Sequence, residues 1–273
     1  MYAFGPLPRQ KRSGRVIGTH QKIDRVARRH LQEYLDDRLV FPKVSKILHF
    51  EGSRGPDSIK MRSPGKDEPW HFINPASIAS DDLLLVSIRN HSTNLTNALI
   101  EDNEERAAFE AAWLAHAVTD GLTPAHHEPL EEQVKDLRAS DHRKDQFRSR
   151  IIMSGEGSGK KFVENNWRYW GAKGIMTTHT LFEAGVAATA KPLTFSDAAL
   201  RRKDIGKLDE KGFEALYVDM IHEVNALGMY DQFKREGWTS ALARLTSRVL
   251  LPLIIRAVAL AWYDAYMKAQ VKK

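Results

Sequence analysis

The chain has 273 residues, of which 42% are hydrophobic and 28% charged, with a formal net charge of +6 and a pI near 9.4. That composition is ordinary for a globular protein and excludes collagen-like, low-complexity and disulfide-scaffold classes. There is no cysteine, so disulfides and thiolate metal sites are excluded, and any metal must be held by His, Asp and Glu.

The positive balance favours anionic partners such as phosphate esters, nucleic acid or acidic membrane surfaces. Much of it lies in RQKRSGR and RVARRH near the start and in Lys272 and Lys273 at the end, which read equally well as solvated ends. The opening MYAFGPLPRQKRSGR has no apolar run of signal-peptide length, and the sequence leaves localisation open. VLLPLIIRAVALAWY, broken by Pro252 and Arg256, is too short to span a bilayer and is expected to be a buried helix, so no transmembrane segment is expected.

Period-2 alternation is scarce and helical periodicity abundant. In chain order, the pattern predicts helices over about 20–37, 77–101, 104–120, 129–140, 175–190, 209–227 and 239–268. Polar connectors rich in Gly and Pro are expected at 51–69 (EGSRGPDSIKMRSPGKDEP) and 154–161 (SGEGSGKK). The second resembles a phosphate loop only superficially, because it lacks the first Gly at the needed spacing and a Ser or Thr after the Lys. The expected architecture is all-α, a single domain over 1–273 with two long loops.

The informative stretch is WLAHAVTDGLTPAHHEP, residues 113–129. Phe109, Trp113, His116 and Asp120 follow one another at spacings of 4, 3 and 4, so they share a helix face. The two aromatics predict that this face points inward. An inward carboxylate is costly unless paired or bound to a cation. The device recurs in IMTTHTLFEAGV, where Ile175, His179, Glu183 and Val186 make a second inward face with a His and a carboxylate one turn apart. One such pair is common by chance. Two pairs, without Cys and with further histidines near helix ends, make a metal site a serious candidate, and imidazole with carboxylate suits zinc. Added candidates are His20 in GTHQKID, Asp57 in GPDS, His71 in EPWHFINP and His126 in TPAHH. Each has a bland reading: Asp57 as a turn residue, His71 as packing beside Trp70, His20 exposed at a helix start beside a Thr19 N-cap. His127 is expected near or outside the site, and His30, His49, His91, His142 and His222 are expected to be structural.

Taken together in this order, these segments resemble the zinc-dependent phospholipase C family and its relatives, the zinc single-strand nucleases. His116-x3-Asp120-x5-His126, with Pro124 ahead of the last His, is the strongest match. PWHF, GPDS, HTLFE and GTHQKI match the others. The resemblance implies two or three zinc ions. One would be held by Asp57, His71 and His116 with Asp120 near it, and a second by His126, His179 and Glu183. A third would use His20 and a bridging Asp120 together with the N-terminal amino group and carbonyl. There the chain departs from the family, since nineteen residues precede His20 and none is Trp. The gap between His126 and His179 is also long for the family, so about 128–174 is expected to be a family-atypical insertion.

The activity implied is phosphodiester hydrolysis by a metal-activated water, with Asp57 a candidate proton acceptor and no side-chain nucleophile. Phe72 is the expected substrate-side aromatic, against a choline headgroup or a nucleobase. Glu183 and the absence of Cys favour phospholipase C-type cleavage, with a membrane surface as a candidate partner. A single-strand nuclease is the alternative. Further alternatives are a non-catalytic all-α protein stabilised by metal and a metal-free helical module binding anions. Family members are usually secreted.

Overall fold

The computed structural model describes residues 18–36, 39–51, 55–56, 71–128, 134, 137 and 152–273. The fold is all-α, and no strand occurs among the described residues. The helices are α1 (Thr19–Leu31), α2 (Val44–Glu51), α3 (Leu83–Ile100), α4 (Glu104–Gly121), α5 (Gly159–Trp170), α6 (Ile175–Ala190), α7 (Arg202–Lys211), α8 (Phe213–Ala226), α9 (Met229–Glu236), α10 (Ser240–Leu245) and α11 (Leu251–Lys272).

Helix α4 is the axis of the molecule, packed on by α1, α2, α3 and α11. Its alanines at 107, 108, 111, 112, 115 and 117 are all buried. Alanine favours helix and holds neighbours at short range, which suits an element surrounded on every side. Asn103 caps it by accepting from Arg106 N at 3.0 Å, with Glu104 and Glu105 in the first turn where the helix dipole favours negative charge. From Leu114 to Gly121 every residue is buried, so this half of α4 has no solvent face. Phe109 and Trp113, expected to mark the inward face, are only half-buried.

Helix α11 is the expected buried helix. With α10 it is long and apolar enough to cross a membrane by length and composition, yet 72% of its apolar window is buried within the protein. Trp262 is fully buried and donates from Nε1 to Ala111 O at 2.9 Å, which locks α11 to α4.

Several boundaries differ from expectation. The predicted helix over 77–101 starts at Leu83, because Asn74 takes the chain through a turn (Ala76 N donates to Asn74 Oδ1 at 3.0 Å) and Asp82 then caps α3. The predicted helix over 20–37 ends at Leu31 and tightens into a 3-10 turn over Gln32–Tyr34. The predicted helix over 209–227 is two helices, separated at Gly212, whose φ of +76° lies in the left-handed region that glycine tolerates. The predicted helix over 239–268 contains a π-turn over Thr246–Leu250 just before Pro252, which has no N–H to donate. The expected loop over 154–161 gives way at Ser158, whose side chain accepts from Lys161 N to start α5. Helices α2, α5 and α9 were not expected at all, and α7 was expected only from residue 209. The predicted helix over 129–140 and most of the expected loop over 51–69 lie outside the described residues.

Candidate metal centre

Two buried groups of His, Asp and Glu could hold a metal ion: His20, His116 and Asp120, and His126, His179 and Glu183. The i,i+4 geometry of α4 sets His116 and Asp120 one turn apart, with Nε2 to Oδ2 at 3.3 Å. Helix α1 brings His20 alongside, its ring stacked on His116 at 4.1 Å between centroids and 11° between planes. His20 Nε2 lies 3.4 Å from Asp120 Oδ1. His71, on the segment leading to α3, contacts Asp120 Oδ2 through Nδ1.

The chain after α4 explains how His126 comes back to the same place. Thr123 N donates to Asp120 O at 2.9 Å, His126 N to Thr123 O at 2.8 Å, and the Thr123 hydroxyl to Thr119 O at 2.8 Å. Pro124 opens the 3-10 turn Pro124–His126, where its missing N–H costs nothing. The turn folds back so that His126 Nδ1 lies 3.6 Å from Asp120 Oδ1. Ile73 N donates to His126 O at 3.1 Å, which fixes the His71 and Phe72 segment against the turn.

On its other edge His126 Nε2 lies 3.1 Å from Glu183 Oε1, and His179 Nε2 lies 3.3 Å from the same oxygen. The His126 and His179 rings are parallel to within 4°, with centroids 5.1 Å apart. Helix α6 is fixed relative to α1 by Lys22, whose Nζ donates to Ala190 O and Lys191 O at 2.7 Å each and so satisfies carbonyls at the α6 C-terminus. The half-buried Phe72 ring sits 5.2 Å from His126 and 6.1 Å from His179.

Thus His20, His71, His116, Asp120, His126, His179 and Glu183 gather in one place, with Phe72 at its edge. Asp57, expected both as a ligand and as a proton acceptor, lies outside the described residues. His127 is buried beside the site without joining either group; its Nε2 lies 2.9 Å from Gly121 O, at the end of α4. His30 and His91 serve the frame, through Phe195 O at 2.9 Å and Glu110 Oε2 at 2.6 Å respectively.

Two carboxylates at the site were missed. Glu51, at the last residue of α2, places Oε1 3.0 Å from His116 Nδ1 and 3.7 Å from His20 Nδ1. The stacked imidazoles therefore lie between Asp120 at their Nε2 edge and Glu51 at their Nδ1 edge. Asp24 is 1% exposed on α1, one turn after His20. A signal for Asp24 was in the sequence, the same His-x3-carboxylate spacing found in α4 and α6. Nothing in the sequence pointed to Glu51, because only the packing of α2 on α4 brings it in.

Burial sets the protonation pattern. Desolvation pulls His126 down to about 4 and also lowers His20, whose neighbour His116 adds to the effect. Desolvation alone would raise Asp120 and Glu183, but the imidazoles around them help hold both well below the usual carboxylate range. For Asp24, burial and then the nearby Glu51 carboxylate push the carboxyl well above that range. Neutral imidazoles beside ionised carboxylates are in the state that donates lone pairs to a cation.

No family model, curated protein or solved structure matches the chain.

Proposed function

We propose that the protein is a zinc-dependent phosphodiester hydrolase of the phospholipase C type, with two adjacent cation sites that share Asp120 and His126 as neighbours. The observation that carries this reading is the spacing of the donor atoms. Ligands of a tetrahedral zinc, each about 2.0–2.1 Å from the ion, stand about 3.4 Å from one another. Within the two groups the separations of 3.4 Å (His20–Asp120), 3.3 Å (His116–Asp120), 3.3 Å (His179–Glu183) and 3.1 Å (His126–Glu183) fall around that value. The first three are long for hydrogen bonds between nitrogen and oxygen. His126 Nδ1 and one oxygen each of Glu51 and Asp24 are buried without a hydrogen-bond partner among the described residues. Buried polar atoms of that kind are costly in an apo site and are satisfied by a cation or its immediate surroundings.

The donor set itself favours zinc, since neutral imidazole and carboxylate without thiolate are ordinary zinc ligands. His126, His179 and Glu183 make a three-ligand set, the kind that leaves one position for water or substrate. A divalent cation held there would lower the pKa of a bound water toward neutrality and would offset the negative charge that develops on a phosphodiester. The chain's own residues do the rest. Asp120 supplies charge to both groups, Glu51 orients the His116 ring, and Phe72 offers an apolar face to whatever the phosphate carries. Both Phe72 and the burial of the ligands limit water around the reacting group.

The test is a metal count on purified protein combined with hydrolysis of bis-p-nitrophenyl phosphate with and without chelator. Bound zinc with chelator-sensitive cleavage supports the reading. Bound zinc without cleavage of this ester, of phosphatidylcholine vesicles or of single-stranded DNA leaves a metal-stabilised protein instead. Cleavage of the DNA but not of the lipid reassigns the substrate class to nucleic acid.

A further inference from the structure

Helix α5 is built inside out. Toward the protein, Asn165 is buried and donates to Ser154 O at 2.6 Å, while Asn166 accepts from Met153 N and donates to Met153 O, both at 3.0 Å. Tyr169, 3% exposed, joins a small apolar cluster with Met153. On the opposite side Val163, Trp167 and Trp170, at i, i+4 and i+7, form one stripe, and they are 66%, 70% and 44% exposed. Scattered exposed apolar residues are ordinary, but a stripe with two tryptophans is a patch that marks an interaction surface. It is held by polar anchors that keep it outward, so a simple rotation into the core would strand Asn165 and Asn166.

The surroundings of the stripe are basic. Lys160, Lys161, Arg168 and Lys173 are exposed on α5 and the turn after it, against Glu156 and Glu164. Glu156 is paired with Lys161. An outward stripe of Trp and Val with basic flanks is the pattern of a helix lying in the interface of a bilayer, its indoles at the headgroup level and its cations on anionic lipid. A second copy of the chain fits poorly, since it would set Lys160, Arg168 and Lys173 against their own kind. Helix α5 is also tied to the turn that precedes His179, through its packing on α6 and a bond from the Thr177 hydroxyl to Trp170 O at 2.9 Å.

We propose that the Val163–Trp167–Trp170 face of α5, with Lys160, Arg168 and Lys173, docks the protein on the surface of an anionic phospholipid bilayer. The docking stands on α5 alone. Where it joins the hydrolase reading, and rests on it, is in making a lipid surface the place where the substrate is met.

The experiment uses the full chain and phosphatidylcholine vesicles with or without phosphatidylserine, read by flotation and by tryptophan quenching with brominated lipid. The wild type is expected to float with the anionic vesicles. Trp167→Ser with Trp170→Ser should weaken that binding at least about tenfold, since affinity follows the apolar area inserted. Lys160→Gln and Arg168→Gln should each weaken it about fivefold on anionic vesicles only. Lys160, Trp167 and Arg168 are exposed, so single variants there should leave the thermal melt unchanged, while Trp170, which also packs edge-on against Tyr169, is read with a melt of the double variant; hydrolysis of the soluble ester should stay at the wild-type rate throughout. Absence of wild-type binding, or equal binding by the tryptophan variant, overturns the proposal. So does a tryptophan-dependent dimer, or tryptophan-dependent retention of single-stranded DNA, without vesicle binding. A protein that cleaves the soluble ester but ignores vesicles loses the docking only; one that binds vesicles and cleaves nothing loses the hydrolase reading only.

Discussion

Glu51 offers the sharpest test of how the proposed metal centre is organised. Its Oε1 is 3.0 Å from His116 Nδ1, and the residue is 7% exposed, so the contact is shielded from water. A carboxylate in that place accepts a hydrogen bond from Nδ1–H and leaves the lone pair on Nε2, the nitrogen 3.3 Å from Asp120. The same oxygen is 3.7 Å from His20 Nδ1 and biases that ring the same way. Glu51→Leu removes the acceptor and strands the N–H; Glu51→Gln keeps an acceptor and removes the charge. Loss of such an outer partner costs 10–100-fold in metal affinity, about 1.4–2.7 kcal/mol. The Leu variant belongs at the upper end and the Gln variant at the lower. A competition titration of zinc against a chromophoric chelator measures the affinity, and long-range ¹H–¹⁵N correlation on the metal-free protein reads the tautomer of His116. Wild-type affinity in the Glu51→Leu protein, or a metal-free His116 carrying its proton on Nε2, would refute the reasoning. The NMR arm decides the point even if the protein proves to bind no metal.

Other consequences follow from the same geometry. His179→Ala should reduce bound zinc by one ion per chain and cut phosphodiester hydrolysis by more than the ~100-fold typical of an outer partner; unchanged zinc content by elemental analysis would remove His179 from the ligand set. Gly121→Ala places a Cβ 2.2 Å from Tyr217 Oη and 2.6 Å from Leu84 Cδ2, so overpacking should destabilise by about 1–3 kcal/mol, and an unshifted melting temperature would contradict the tight approach of α8 and α3 to the end of α4. The metal-free protein should lose stability as pH falls from about 6.5 to 4. His126 titrates near 4 when folded and near its ordinary 6.5 when unfolded, so in that window the unfolded chain binds the extra proton. The His126 contribution is on the order of 3 kcal/mol; the raised Asp24 carboxyl opposes it, because there the folded state takes up the proton first as pH falls. The depressed Asp120 and Glu183 act in the same direction as His126, their contribution being present above the ordinary carboxylate range and lost as pH drops through their folded values. A urea midpoint no lower at pH 5 than at pH 7 would contradict this.

What could be read in the sequence was whatever a single helix writes at a fixed interval. His116 with Asp120, and His179 with Glu183, are one turn apart on α4 and α6, and that spacing alone placed each pair on one face. The same rule, applied to GTHQKID, would have added Asp24 to His20. Glu51 is of another kind. It ends α2, 31 residues after His20 and 65 before His116, and its carboxylate matters only because α2 lies across α4. No periodicity encodes that. Gly212 was legible, since a Gly after Lys211 closes α7 in the usual way, whereas the π-turn before Pro252 depends on how α11 settles into the core.

Helix α5 escaped notice for a more instructive reason. Periodicity identifies a helix by assuming that its apolar stripe faces the core and its polar residues face water. In α5 the inward residues at 165 and 166 are asparagines satisfied by Ser154 and Met153 carbonyls, and the tryptophans face out. Read under the usual assumption, the segment after SGEGSG is a loop followed by stray aromatics. The same reversal that hid the helix is what the docking proposal rests on. A chain has no folding advantage in displaying Val163 and Trp167 at two-thirds exposure, and the docking proposal assigns the recovery of that free energy to a lipid surface. If replacing both tryptophans with serine changed nothing but solubility, that recovery would have no partner, and the exposed stripe would be a cost without a function.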